Sequence, residues 1–411
     1  MNDSINLLFN YLNKNLVKFF NLLAAYIISA LVLIGILAIF NNNQDNLNPE
    51  DITNFLILVS LAGGLELGLV KSSLINSDNL RSLNFNKFSL ISKVAIRAII
   101  PSSIIFFIWI FLSTDFSFLY KIIFSYCLCF IGLMSSELRV IFDNNGNHST
   151  AVWSKQGGIS LGILFFSISI LLGYGNVISL SVYCLARIIY LTLLFNRINE
   201  INQSYKLISF EDNQISGWKM IFGLSLAAAI SGNIDRVLIS YILDPIVVLN
   251  YFLVYEIFTK YYLIAIIINP IIFVQYANGG NGILNGFGLL KILGAVSIIS
   301  ISIFLFFISF NPAFFNNIVT IDISNLYFVI FFIAIVINCN TQTVYTLLLS
   351  RGYAHDLLKI TIMVTLVIAL TSAYAMINYG INGLLVTWLL KSCLEAALVA
   401  IVFWRKKHEF L

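Results

Sequence analysis

The chain has 411 residues, of which 59% are hydrophobic and only 10% charged, with a formal net charge of +4. Soluble domains carry about 25% charged and about 45–50% apolar residues, so a soluble enzyme, a nucleic-acid-binding module and a secreted disulfide scaffold are excluded. The apolar residues, roughly 240, would fill about twelve membrane spans of about 20 residues each, and the expectation is an all-α polytopic membrane protein.

From the N-terminus, polar residues extend to Lys18 and no small-residue cleavage site follows, so the first apolar run reads as a retained span. Apolar runs set against polar breaks place spans at 19–40, 52–72, 94–113, 118–141, 156–173 and 177–195. Six more fall at 217–243, 246–276, 288–310, 322–349, 359–378 and 381–403. Short Gly- and Asn-containing breaks at 173–176 and 379–383 imply tight hairpins, and Pro101 and Pro270 imply kinks. The longest polar break, 196–216, divides the chain into an N-terminal lobe (1–205) and a C-terminal lobe (206–411). The expected architecture is twelve transmembrane helices in two six-helix lobes around a central cavity.

Orientation follows from the basic residues. Lys14, Lys18, Lys71, Arg81, Lys87, Lys93, Arg97, Arg139, Lys155, Arg197, Lys206, Lys219, Lys291, Arg351, Lys359, Arg405, Lys406 and Lys407 fall on one side. The opposite loops hold Lys121 alone, with Asp45, Glu50, Asp51, Asp115, Asp244 and Asp322. Both termini are therefore expected in the cytoplasm. No outer loop exceeds about fifteen residues, too short for an external catalytic domain.

Cys127, Cys129, Cys184, Cys339 and Cys393 lie in apolar segments, and His148, His355 and His408 in separate polar ones. Neither a disulfide framework nor a metal or His-based catalytic site is indicated, and no cofactor is expected. The glycine-rich run from Asn278 to Gly288 lacks the Gly-Lys-Ser/Thr of a phosphate loop and reads as a cytoplasmic link.

Ionisable residues inside spans cost about 2.5–3.5 kcal/mol each on insertion scales, so they face a cavity or a partner. The candidates are Glu66, Arg187, Asp235, Arg236, Glu256, Lys260, Lys391 and Glu395. Glu256 and Lys260, like Lys391 and Glu395, are spaced i,i+4 and can neutralise each other as structural pairs or serve a ligand. Asp235 and Arg236 are adjacent and point about 100° apart, so one of them must reach another helix or an aqueous cavity. Arg187 has no ionisable residue within one turn of its own helix; it meets an acid from elsewhere or an anionic ligand. The run Asn338-Cys339-Asn340-Thr341-Gln342-Thr343 is too polar for lipid and should face the interior. A weak internal echo places Arg187 twelve positions after Gly175, and Lys391 eleven after Gly380.

At span 7 the sequence resembles a family. Asn233-Ile234-Asp235-Arg236-Val237-Leu238-Ile239 runs into Asp244-Pro245, followed by Leu249-Asn250-Tyr251 and Ile268-Asn269-Pro270. This is similar to the signature of Wzx-type O-antigen and polysaccharide flippases of the MOP exporter superfamily, as are Leu67-Gly68-Leu69 and the Tyr-Gly pairs before spans 6 and 12. Leu249 stands where that family usually has Gly, and the usual Phe-Gly before span 2 is absent.

The resemblance implies a secondary transporter and not an enzyme. It would carry undecaprenyl-pyrophosphate-linked oligosaccharide across the inner membrane for O-antigen or capsular polysaccharide synthesis, by alternating access driven by H+ or Na+. Arg187, Arg236, Lys260 and Lys391 would then line a basic cavity, Glu66, Asp235 and Glu256 would couple to the ion, and Asn338, Asn340 and Gln342 would add polar lining. Membrane lipids and polysaccharide polymerase or chain-length machinery would be the partners, and no nucleic acid. The rival expectations are an exporter of the multidrug-extrusion type and an O-antigen polymerase or ligase; the latter generally carries a large external loop, which this chain lacks.

Overall fold

In a computed structural model of the chain, the described residues are 55–59, 87–112, 116–144, 148–201, 215–262, 286–315 and 323–406, with isolated positions such as Gly35, Ala265 and Asn269. Among them the regular structure is helical and no strand occurs. They divide into two compact units, one within Ala24–Tyr241 and the other from Ile242 onward.

The first unit contains α1 (Lys87–Leu112), α2 (Phe118–Asn144), α3 (His148–Leu171), α4 (Asn176–Ile201) and α5 (Ile215–Ile242). Helix α2 packs against α1, α3 and α4, and α3 packs along α4. Leu128, Ile131, Leu138 and Phe142 of α2 are fully buried, whereas α1 exposes Ile96, Ile99, Ile100 and Phe107. A helix apolar on both its buried and its exposed faces suits a lipid environment. The turn between α3 and α4 closes on Gly173, at φ 80°. Its N–H donates to Ile170 O at 2.9 Å, and that of Tyr174 to Ser169 O at 3.0 Å, satisfying carbonyls that the helix end leaves open.

The second unit contains α6 (Pro245–Thr259), a 3₁₀ turn (Lys260–Tyr262), α7 (Gly286–Phe310), α8 (Asn325–Ser350) and α9 (Ala354–Arg405). Pro245 opens α6 at the first helical position, where its missing N–H has no intrahelical partner to lose. Helix α8 is the hub, touching α9 most extensively and also α6, the 3₁₀ turn and α7. Its core is aromatic: the Phe258 ring lies 5.4 Å from Phe304, 5.2 Å from Phe315 and 5.5 Å from Phe331.

Helix α9 is 52 residues long and breaks at Gly380, at φ 59° and ψ −141°. Ser372 Oγ donates to Thr387 Oγ1 at 3.3 Å across fifteen residues of sequence. A straight helix would hold those residues about 22 Å apart, so the chain doubles back and α9 is a helical hairpin. Gly383 permits the approach, because a Cβ there would overlap the carbonyl of Ala375.

Seven of these helices are long and apolar enough to cross a membrane: Leu90–Ile110, Phe118–Arg139, Trp153–Leu171, Asn176–Arg197, Lys291–Phe310, Asn325–Ser350 and Ala354–Arg405. The chain is a multi-pass membrane protein. The expected spans at 19–40 and 52–72 lie largely outside the described residues, as do Pro270 and Glu66. Of the expected span at 246–276, the described part is α6 followed by a 3₁₀ turn at Lys260–Tyr262, with most of 263–276 outside the described residues. Pro101 sits inside the unbroken α1. Lys121 and Lys155, which the charge pattern assigns to loops, lie within α2 and α3 and are buried; their long aliphatic stems can lie along apolar neighbours.

Candidate functional site

In the unit within Ala24–Tyr241, α4 carries Arg187, only 2% exposed. Its Nη1 donates to Tyr183 Oη at 2.9 Å, one turn earlier, and its Nη2 to Ser135 Oγ of α2 at 3.5 Å. The guanidinium also lies 5.5 Å from the centre of the Tyr183 ring, within the range of cation–π attraction. Phe55 meets Tyr183 edge-on at 5.0 Å and stacks on Phe166 at 3.7 Å. Gly162 of α3 leaves the space: a Cβ there would come 2.8 Å from the Tyr183 ring and 2.9 Å from Arg187 Cγ.

On α5, Asp235 and Arg236 are both buried. Arg236 Nη1 donates to Asn233 Oδ1 at 3.1 Å, and Asn233 Nδ2 donates to Ala229 O at 2.7 Å. The arginine is thus oriented by a residue of its own helix. The same unit holds an ion pair that the sequence reading did not single out, Arg97 of α1 with Glu137 of α2 at 2.8 Å. Its partners are 40 residues apart on neighbouring helices, so no local spacing betrays it.

In the unit from Ile242 onward, the expected residues fall into two connected groups. Lys260 Nζ donates to Glu256 Oε2 at 2.5 Å, so the i,i+4 pair of the sequence is formed. Tyr262, the last residue of the 3₁₀ turn, donates from Oη to Asn338 Oδ1 of α8 at 2.7 Å. Asn338 Nδ2 and Gln342 Nε2 both donate to the Glu395 carboxylate, at 3.0 and 3.5 Å. Asn340 points elsewhere, donating to Ser297 Oγ of α7 at 2.7 Å. Asn338 and Gln342 are four residues apart and share a face; Asn340 between them does not.

Lys391 lies one turn from Glu395, with its ammonium 4.3 Å from the centre of the Trp388 ring. Trp388 is held in turn: its Nε1–H donates to Tyr251 Oη at 2.9 Å. Tyr255 and Phe331 pack around it at 5.6 and 5.8 Å. Tyr183 and Trp388 were not singled out from sequence, although each precedes its cation by four or three residues. Among the described residues no group of three or more His, Cys, Asp or Glu is assembled that could hold a metal ion.

The structure thus brings Asn338, Gln342, Lys391 and Glu395 together, and joins Glu256 to Lys260. Arg187 and Arg236 sit on different helices of the other unit, and Glu66 lies outside the described residues. Chemically, both units offer cations buried among apolar helices, with hydroxyl and amide oxygens and aromatic rings among their neighbours.

No protein-family model matches the sequence, and no curated protein matches it significantly. Solved structures do resemble the fold. The lipid II flippase MurJ in an inward closed conformation superposes with a TM-score of 0.60 at 13% identity, over 93% of this chain and 87% of that one. A MATE structure in a bent conformation gives 0.61 at 14% identity, over 95% and 96%. A MOP superfamily transporter from Pyrococcus furiosus, described by a reversed polarity of its binding pocket that suggests a different function, gives 0.56 at 14% over 95% of each chain. The chain has the fold of these membrane transporters and flippases.

Proposed function

We propose that the chain is a flippase that moves undecaprenyl-pyrophosphate-linked oligosaccharide from the cytoplasmic to the periplasmic leaflet of a bacterial inner membrane, feeding O-antigen or capsular polysaccharide synthesis. The observation that carries the reading is the burial of cations within apolar helices: Arg236 is 6% and Lys391 5% exposed, alongside Arg187. A pyrophosphate headgroup entering a low-dielectric interior loses its hydration and needs fixed cations in its place. Arg187, Arg236, Lys260 and Lys391 supply them, while the isoprenoid tail stays in lipid. The amides of Asn338, Asn340 and Gln342 are suited to sugar hydroxyls. Glu66, Asp235 and Glu256 are the acids assigned to coupling with H+ or Na+, and rocking of the two halves provides alternating access.

The test is a deletion strain in which surface polymer and lipid-linked repeat units are followed by leaflet. Loss of polymer with single units held on the inner leaflet is the expected result, and complementation by R187A, R236A or K391A should fall well short of wild type. Full polymer levels from all three variants would sink the basic-site reading. A second reading, a multidrug exporter, draws on the MATE likeness, whose TM-score matches that of MurJ. It predicts drug hypersensitivity of the deletion strain with intact polymer.

A further inference from the structure

We infer that Lys260 exchanges partners during transport. At rest it is clasped by Glu256; on arrival of the lipid-linked headgroup it passes to a phosphate oxygen, and the exchange frees the break that follows α6. This rests on the flippase reading above and adds to it a trigger.

Three observations support the exchange. The pair straddles the discontinuity, because Glu256 lies in the last turn of α6 and Lys260 opens the 3₁₀ turn. Helical backbone is present again at Ala265 and Asn269, so the turn interrupts a helix inside an expected span, about 22 Å along from Pro245. Short 3₁₀ stretches within helices have poorer hydrogen bonds and often mark hinges. The segment Glu256-Ile257-Phe258-Thr259-Lys260-Tyr261-Tyr262 contains neither Pro nor Gly, the usual causes of a break. What remains to hold it is side chains. Besides the ion pair, Tyr261 Oη donates to Ser300 Oγ of α7 at 3.2 Å, and Tyr262 Oη to Asn338 on α8.

Second, this ion pair is partly open, as is Arg97–Glu137 in the other unit, whose side chains are 30% and 15% exposed. The Lys260 side chain is 32% and the Glu256 side chain 15% exposed, whereas Arg187 and Lys391 are deeply buried. A partly exposed pair is only weakly favourable, so a pyrophosphate, which brings more charge and more acceptor oxygens than one carboxylate, can displace Glu256. Third, the break is wired onward. Tyr262 binds Asn338, and Asn338 binds Glu395 on the second arm of α9, one turn from Lys391. The 3₁₀ turn that the exchanging lysine opens is therefore hydrogen-bonded, through Tyr262 and Asn338, to a second helix that carries a buried cation, a packed network of the kind that can carry coupling.

The experiment uses the full-length protein in lipid nanodiscs, with farnesyl pyrophosphate as the probe and farnesol as the uncharged control. Binding is titrated, and backbone hydrogen exchange is followed over 256–265. Farnesyl pyrophosphate should speed exchange at Lys260–Tyr262, and farnesol should not. Glu256→Gln should show the faster exchange without probe and bind it about fivefold more tightly, the equivalent of removing a partly exposed ion-pair competitor. Lys260→Met should weaken binding and abolish the exchange response, and Lys260→Arg, which keeps a cation, should retain both and so control for misfolding. Wild-type affinity in Lys260→Met, or exchange at the break that ignores the probe, overturns the partner exchange while leaving the flippase reading standing. Failure of the wild-type protein to bind the pyrophosphate lipid at all would instead remove that reading, and the exchange with it.

Discussion

Arg187 and Lys391 are accommodated by the same device, an aromatic side chain one turn earlier on the same helix, Tyr183 at i−4 and Trp388 at i−3. Each ring offers its face to a cation buried among apolar helices, an interaction of about 0.5–2 kcal/mol. Trp388 adds a hydrogen bond to Tyr251, so Trp388→Phe, which keeps a ring and loses the N–H, should cost about 1 kcal/mol. The check is thermal unfolding of the purified protein, where Trp388→Leu should lower the midpoint further. Gly162→Ala tests the other cation: the added methyl meets Tyr183 and Arg187, and overpacking of this kind costs about 1–3 kcal/mol. An unchanged melting temperature would mean that the Tyr183 ring has room to retreat. At this scale the sequence was partly legible. The intramembrane charges and the Glu256–Lys260 spacing could be read directly, because local helical spacing decides which side chains meet. Glu137 was missed because its partner, Arg97, is on another helix, and no periodicity within either segment pairs them.

Among the helices, the positions that set direction are few. Gly380 turns α9 back on itself and Gly383 lets its arms close. Gly383→Ala would drive a methyl into the Ala375 carbonyl, backbone that cannot swing aside, and should destabilise by about 1–3 kcal/mol. Gly380→Ala meets open space but an unsuitable backbone conformation, at a cost of about 1–3 kcal/mol. Comparing the two variants by protease resistance in membranes separates crowding from strain, since a larger side chain at Gly380 should do no further harm and one at Gly383 should. The Tyr379-Gly380 hairpin was visible in sequence because glycine punctuates an otherwise continuous apolar run. Spans such as 118–141 and 288–310 lie within a few residues of α2 and α7 because about 20 apolar residues in a row have few alternatives to a helix. The 3₁₀ turn at Lys260–Tyr262 was not visible, because its residues are compatible with helix and its two tyrosines bond to residues of α7 and α8 that are distant in sequence.

For the molecule as a whole, a testable expectation concerns sidedness. The distribution of basic residues predicts the Gly173–Gly175 turn outside and the Arg351–Gly352 turn in the cytoplasm. Single cysteines introduced there into a cysteine-free background should react with an impermeant maleimide from opposite sides of the membrane. Equal labelling of both from one side would refute the orientation. A fold shared at 13% identity with a flippase and at 14% with MATE proteins shows why architecture was more legible than cargo. Apolar residues can be exchanged widely while a span is preserved, so hydropathy records the helices. What a transporter carries depends on a handful of polar side chains whose meeting points are fixed by packing between distant segments.

Gly380 falls at the midpoint of α9, so the two arms are of nearly equal length and the element begins and ends at the same level. The ammonium of Lys406 duly lies 4.9 Å from the ring centre of Tyr353. Donor and acceptor fluorophores attached at Gly352 and Lys406 would therefore lie on one side of the hairpin, within a few nanometres of each other. Energy transfer between such a pair would be insensitive to any motion that carries the hairpin as a rigid piece, which makes it an internal standard against which movement elsewhere in the protein can be measured.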